Sequence, residues 1–477
     1  MRKLRLPQMN RAMIGVIMSL AWPTMLEQLM QTAVQYIDTF MVSSLGTAAT
    51  AAVGSTSTVN WLIGSTVSAI GVGFLSFIAR AIGAGEAQAA RKASAQATLV
   101  TLVTGVVFTA ITLGISGVIP TWMQVDPDIQ ALAGQYFFIL YLPMLPRAAS
   151  IIFGTVLRAA GDTRTPMKAG IVVNVVNVAL NFLLIYPTRE VELFSLRLMI
   201  PGAGWGVLGA GVASAASFLV GGVLITVALL RHPMASPLGQ SLRPDPAILR
   251  PCMKVALPNM FQRFGTSLGY VAFASMINAL GDVATAAHTI ANTVESAFYI
   301  PGYGMQTAAA TLAGNAAGAK DHKRMRELSR MFIPIEIGLM ILSGGLLFAF
   351  APALMGIFSQ NPQVVSLGAT VLRMVAVSEP FYGFSIIVEG MMQGVGRTRT
   401  PFVYNIIGMW AVRIVGTFVC TRLLGLGLVA AWACMIAHNL LLFALFLREY
   451  VRGTWAGASP LHPTRGLSPL DSSAGRA

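Results

Sequence analysis

The sequence predicts an all-α integral membrane protein of twelve transmembrane helices, arranged as two six-helix bundles related by a pseudo-two-fold axis. Three observations carry this expectation. The first is composition: 55% of the 477 residues are hydrophobic and 10% are charged, against about 25% charged residues in an average soluble domain. The second is the set of long apolar runs, such as 13–26, 61–78 and 219–230. A stretch of about 18 or more apolar residues with few charges suits a membrane-spanning helix. The third is a repeat: LRAAGDTRTP at 157–166 and MQGVGRTRTP at 392–401 share their Thr-Arg-Thr-Pro ending at a shift of 235 residues.

Taken in order, the spans fall near 12–44, 47–79, 93–118, 129–157, 164–187, 205–230, 250–280, 284–316, 328–355, 363–394, 399–424 and 427–448. Several exceed the roughly 20 residues that a bilayer requires, so they tilt, bend or protrude. Pro23, Pro143, Pro146, Pro258 and Pro380 lie inside spans and are expected to kink them. The domains are an N-terminal bundle over 1–232, a cytoplasmic linker over 233–249, a C-terminal bundle over 250–450, and a Gly-, Ser- and Pro-rich cytoplasmic tail over 451–477, expected to be disordered.

The formal charge of +14 first suggests a nucleic-acid partner, but its placement excludes one. Lys and Arg gather in every second connection: Arg2 to Arg11, 80–92, 158–168, 231–254, 320–330, 397–399 and from Arg448 onward. The alternate connections carry only Arg189, Arg197 and Arg422. This asymmetry follows the positive-inside rule and predicts a multi-pass cell-membrane protein with both termini in the cytoplasm. The basic N-terminus leads into an apolar run too long for a removed signal peptide. Cys252, Cys420 and Cys434 lie in or beside apolar runs and make no disulfide framework.

The repeat extends beyond the TRTP turn. Sliding 20–59 onto 255–294 without a gap makes twelve of forty positions identical, among them Pro23 with Pro258 and Leu45-Gly46 with Leu280-Gly281. RAIGAGE at 80–86 finds a looser partner in LAGNAAGAKD at 312–321, with a small insertion. Six helices per repeat return the chain to the side it started from. The halves are therefore parallel repeats, an arrangement in which substrates bind between the halves and access alternates.

The first helix reads LAWPTMLEQLMQTAVQYIDTFMVSSLG. Its Pro23, Glu27-Gln28-Leu29, Asp38-Thr39, Met41-Val42 and Leu45-Gly46 resemble the MATE family, the multidrug and toxic compound extrusion transporters. GAGE after the second helix, GDTRTP after the fourth and the asparagines of the fifth add to the resemblance, which covers the chain to about residue 450. It implies a V-shaped pair of bundles and export of organic, often cationic, compounds against proton or sodium entry. It also implies that Asp38, Asn177 and Asn181 form the cation site of the N-terminal bundle, and that Tyr136, by its spacing before GDTRTP, matches a tyrosine there.

The repeat supplies its own test of which residues serve one half only. Asp38 faces Phe273 across the shift, and Asn174, Asn177 and Asn181 face Met409, Val412 and Gly416. The three asparagines recur at i, i+3 and i+7, so they form one polar stripe that is expected to face the bundle interior. An ionisable group such as Asp38 inside a span is a functional candidate, able to take a proton on one side and release it on the other. Helix capping by Asp38 and interhelical hydrogen bonding by the asparagines are the structural alternatives.

In the C-terminal half, Arg263, Arg373 and Arg413 match Gln28, Phe138 and Val178, while Glu295, Glu379 and Glu389 match Asn60, Met144 and Gly154. These six either pair into an internal network or place Glu295, Glu379, Arg263 and Tyr382 on a substrate cavity. The acids that the NorM branch carries in helices 7 and 10 fall near Thr266 and Tyr382 here, so the pattern leans toward the DinF-like branch, coupled through the N-terminal bundle.

The expectation is therefore a secondary transporter and not an enzyme: an antiporter for small organic, cationic substrates, monomeric in the lipid membrane, using H⁺ or Na⁺ and no cofactor. One proton moving down 100 mV releases about 2.3 kcal/mol, enough for useful export without ATP. GNAAGAKD at 314–321 only superficially approaches an ATP-binding loop, and GAGWGVLGAG at 202–211 reads as close helix packing. No H-E-x-x-H cluster or nucleophile constellation points to an enzyme. His288 and His438 are lone and read as packing; the 25 methionines are mostly core or lipid-facing. A flippase for lipid-linked oligosaccharide or lipid is the alternative, which calls for arginines without acidic partners along the cavity.

Overall fold

The computed structural model describes residues 11–123, 125–193 and 196–457. The helices are α1 (Arg11–Ser43), α2 (Thr47–Gly83), α3 (Ala87–Ile115), α4 (Pro127–Tyr141), α5 (Met144–Ala159), α6 (Arg164–Leu184) and α7 (Gly206–Arg231) in the first half. The second half holds α8 (Pro246–Asn278), α9 (Asp282–Gly318), α10 (His322–Phe358), α11 (Pro362–Gly394), α12 (Arg399–Ile407) and α13 (Leu428–Arg452). The expected fourth span is α4 and α5, bent by 51° at residues 142–143. Pro143 has no N–H to continue the ladder, and Arg147 N instead reaches the Pro143 carbonyl to start the next helix. Pro23, Pro258 and Pro380 sit inside helices that continue through them.

By length and apolarity alone, nine described helices suit a membrane span, ten with the α4–α5 pair. The remaining two expected spans, α8 and α9, are equally long at 33 and 37 residues. They carry Lys254, Arg263, His288 and Glu295 along their length, and they are the repeat mates of α1 and α2.

Three features depart from twelve plain helices. A two-stranded antiparallel hairpin, β1 (Pro187–Leu193) with β2 (Leu196–Ala203), fills the connection between α6 and α7. The expected eleventh helix widens into π-helix at Gly408–Ile414 and again at Val419–Leu423. The expected disorder of 451–477 is corrected at its start. Ordered structure runs to Gly457 because Trp455 is buried and stacks on Tyr450 at 5.6 Å. Residues 458–477 lie outside the described residues. The linker is also shorter than expected, since α8 already starts at Pro246, and it is pinned to α3: Gln96 donates to the Arg243 carbonyl and accepts from Asp245 N.

The repeat shift holds throughout the turns. Gly161 and Gly396 both have φ +87°, the left-handed conformation that ends a helix with least strain on glycine. Gly85 at φ +77° is matched by Lys320 at φ +53°, and Glu86 and Asp321 each open the next helix. RAIGAGE therefore pairs with NAAGAKD at the same 235-residue shift, and the expected insertion does not exist. A lysine occupies a conformation that glycine tolerates better.

The two halves exchange partners. Helix α1 packs on α9 and α8 packs on α2, mirror copies of one contact. Thr24 Oγ1 donates to the Gly304 carbonyl, Ser76 Oγ to that of Gly394, and Thr311 Oγ1 to that of Arg158. Ser76 and Thr311 are themselves repeat mates. All three bonds lie in the helix halves nearest the termini. There α2 and α9 cross so closely that a Cβ on Gly83 would overlap the Asn315 carbonyl oxygen.

Candidate functional site

Asp38, Tyr136, Asn177 and Asn181 come together from three helices, α1, α4 and α6. Asp38 stands near the C-terminal end of α1, half-buried. Asn181 donates from Nδ2 to Asp38 Oδ1 at 2.5 Å and to Asn177 Oδ1 at 3.1 Å. Asn177 passes the chain on, donating to Ser214 Oγ on α7 at 3.2 Å. The i, i+3, i+7 spacing places the whole stripe inside: Asn174, Asn177 and Asn181 are 9%, 4% and 0% exposed. Tyr136 on α4 is buried with its ring against Gly211, whose missing side chain makes room for it, and it lies within electrostatic reach of Asp38. Asn174 is buried with the others, but its Nδ2 has no protein partner.

This arrangement supports two chemistries. The Asp38 carboxylate, held by one amide N–H, retains lone pairs for a proton. Asn181 Oδ1 is buried without a protein partner, so a carboxylate and an amide oxygen are placed together as hard ligands of the kind that suit a small monovalent cation. Ser214 was missed by sequence reasoning, because a serine among the small residues of α7 carries no periodic signal.

The C-terminal residues behave differently. Glu295 and Glu379 are buried on α9 and α11, and Tyr382 shares a 2.9 Å hydroxyl contact with Tyr303. Tyr299 packs edge-on against both tyrosines, and Glu295 and Glu379 both act on Tyr299 electrostatically. These two acids and Tyr382 therefore cluster around Tyr299. Arg263 lies nearer the termini, donating to Asn259 Oδ1 at 2.9 Å.

The expected arginine–glutamate network does not form. Among the described residues, the one cation–carboxylate contact within 4 Å is Arg158 with Glu27, at 3.0 Å, in the other half. Arg413 instead lies over the rings of Phe273 and Tyr270 at 4.2 and 4.9 Å. Arg373 turns to the Phe348 carbonyl. Glu389 is satisfied by neutral amides, accepting from Gln262, Gln393 and Asn405 at 2.8, 3.1 and 3.2 Å. The physical reason is geometric: residues on one helix face in sequence still differ in height and rotation, and a planar guanidinium reaches a ring face as readily as a carboxylate.

Sequence reasoning also missed Glu336 on α10, fully buried with both oxygens unpartnered and seated between Gly302 and Gly383. A lone acid inside FIPIEIGLM was the available signal. His288 accepts from Trp432 Nε1 at 3.3 Å and meets Phe273 edge-on, a packing role.

The MatE family model matches residues 23–183 and again 258–419, two copies whose starts are 235 residues apart. The probable multidrug resistance protein NorM of Thermotoga maritima is 27% identical over 95% of this chain and 94% of its own. The probable multidrug resistance protein YoeA of Bacillus subtilis is 24% identical over 86% of this chain and 87% of its own. Among solved structures, a MATE in complex with MaL6 superposes with a TM-score of 0.84 at 23% identity, covering 92% of this chain and 96% of that one. An outward-facing multidrug resistance MATE family transporter gives 0.81 at 22% identity, covering 92% and 96%. With the family model covering most of both repeats, and the fold shared along nearly the whole length, the chain belongs to the MatE family of membrane transporters.

Proposed function

We propose that the chain is a multidrug exporter, an antiporter that moves organic, cationic compounds out of the cell against entry of H⁺ or Na⁺. The observation that carries this reading is the Asp38–Asn181–Asn177–Ser214 chain, built in one half of a duplicated bundle and without a counterpart in the other. The relatives named as probable multidrug resistance proteins support the substrate class. Coupling runs through the N-terminal half, in the manner of the DinF-like branch. Thr266 and Tyr382, where the NorM branch carries acids, make only neutral hydrogen bonds.

In this cycle the halves are sealed on the cytoplasmic side, where α2 and α9 cross, while Asp38 faces the outer side. A proton or sodium ion arriving from outside neutralises Asp38, which removes the cost of burying its charge and favours closure around it. Glu295 and Glu379, in a tyrosine-lined recess of the other half, attract a cationic substrate during the opposite stroke. The protein acts as a monomer in the cell inner membrane with both termini in the cytoplasm, takes small molecules and surrounding lipid as its partners, and requires no cofactor beyond the coupling ion.

The test is efflux from everted vesicles, wild type against Asp38→Asn at equal expression. Export by the variant is expected to fall to background under an imposed gradient. Export at the wild-type rate refutes the coupling site. Replacing Na⁺ by K⁺ at a fixed proton gradient then identifies the ion.

A further inference from the structure

Arg147, on the first turn of α5, is a buried cation that neither the coupling site nor the cationic-substrate recess uses. It is 9% exposed, and its Nη1 has no partner. No carboxylate lies within 4 Å of it among the described residues. Its guanidinium lies over the rings of Phe218 at 4.6 Å and Tyr141 at 5.4 Å, with Nη2 facing the bare Cα of Gly64. The Tyr141 hydroxyl donates to Asn60 Oδ1 at 2.9 Å, which fixes the ring beneath the cation. Two aromatic faces stabilise the guanidinium, and the Tyr141 hydroxyl lies within its reach, but Nη1 is left without an acceptor. A buried charge without an acid beside it is costly to keep, and the free Nη1 donor suits a carboxylate or phosphate oxygen.

The repeat sharpens the point. At the 235-residue shift, Arg147 corresponds to Tyr382, Asn60 to Glu295 and Gly64 to Tyr299. The equivalent positions of the two halves therefore carry opposite polarity. They hold a cation near an amide in the N-terminal half, and in the C-terminal half a carboxylate beside tyrosines, where Glu379 also acts on Glu295's tyrosine neighbour.

We propose that Arg147 is an anion-accepting subsite, which takes the carboxylate or phosphate end of a transported amphiphile whose other end is an amine. The anionic end pairs with Arg147 while the cationic end meets Glu295 and Glu379 in the other half. Choosing a transported substrate as the ligand rests on the exporter reading; the anion subsite itself does not.

The test uses the full-length protein in detergent, titrated with a zwitterionic fluoroquinolone and with its methyl ester, which lacks the carboxylate. The wild type is expected to bind the zwitterion about tenfold tighter than the ester, the range of one charge-assisted contact. Arg147→Gln is expected to bring that ratio close to one, and Arg147→Lys to retain part of it. Asn60→Asp places a carboxylate beside Tyr141 and Arg147, a charge of the kind that Glu295 carries at the equivalent position, and it too is expected to abolish the preference. It decides the matter if Arg147→Gln does not fold. An unchanged ratio in the folded variants, or a wild type that binds both compounds equally, overturns the proposal. A second arm compares thermal stability in phosphatidylglycerol and phosphatidylcholine nanodiscs. Arg147-dependent stabilisation by phosphatidylglycerol, without a zwitterion preference, identifies a lipid phosphate as the ligand and overturns its assignment to the transported molecule. If wild-type vesicles export nothing while the binding ratio holds, the exporter reading fails and the anion subsite stands.

Discussion

Gly83 and Gly318 are repeat mates, and each presses its bare Cα against the backbone of the other's helix. Gly83 meets the carbonyl of Asn315, and Gly318 meets the carbonyl of Arg80. Asn315 and Arg80 are mates at the same shift, so one contact is made twice about the pseudo-two-fold axis. It lies at the ends of α2 and α9 nearest the termini. A methyl group at either position overlaps backbone, which cannot rotate away.

Gly83→Ala or Gly318→Ala is therefore expected to push the helices apart and disfavour the state closed on that side. Overpacking of this kind costs about 1–3 kcal/mol. A penalty of about 1.4 kcal/mol shifts a two-state equilibrium tenfold. Spin labels at Ala84 and Ala319 should report a longer mean distance in either variant, with export falling in parallel. Unchanged distances would show that the crossing tolerates a side chain.

Within the coupling site, the hydrogen-bond chain predicts an order of importance. Asn181 touches Asp38 directly, and Asn177 acts through Asn181. Asn181→Ala is expected to reduce gradient-driven export about tenfold, the effect of losing a hydrogen bond to a charged group, and Asn177→Ala to reduce it less. Asn174 makes no bond within the chain, so its substitution should have the smallest effect. Initial rates at matched protein levels test the order.

Glu336 is fully buried and neither oxygen has a partner. Glu336→Met keeps the side-chain length and removes the buried polar group. It is expected to raise thermal stability, by about 1–3 kcal/mol on the scale of burying an unsatisfied polar group. A drop in stability in a thermal unfolding assay would show that the carboxyl has a partner such as bound water. Loss of export with intact folding would instead assign Glu336 to transport.

Glu27 and Arg158 form a two-oxygen contact on α1 and α5, with side-chain exposures of 12% and 16%. Their repeat mates are Gln262 and Gln393, which hold Glu389 instead. Removing one charge strands the other, so each single Gln substitution is expected to destabilise by about 1–3 kcal/mol, and the double substitution to recover most of that. A double-mutant cycle on thermal stability measures the coupling; additive losses would show that the pair contributes nothing of its own.

The candidate site was legible in outline. Asp38 and the asparagine stripe follow from an i, i+3, i+7 spacing and from their absence in the second repeat, both one-dimensional facts. Ser214 was not legible, because small residues are common on helix faces whatever they touch. The hairpin at Pro187–Leu193 and Leu196–Ala203 was missed although EVEL at 190–193 alternates polar and apolar residues. It is short, and its pairing depends on the two flanking helix ends lying close together.

The sequence by itself determined the membrane spans, the two-fold repeat and the side on which the basic connections gather. Burial of apolar length in a bilayer and the sorting of Lys and Arg are properties of each segment alone. Only the tertiary structure decided what the buried charges touch. Arg413 lies over Phe273 instead of meeting a glutamate, Glu389 rests on three amides, and Arg147 has rings without an acid. Which partner a charge meets depends on the rotation, height and separation of neighbouring helices. Those are set by packing at contacts such as Gly83 with Asn315, and no single stretch of the chain contains them.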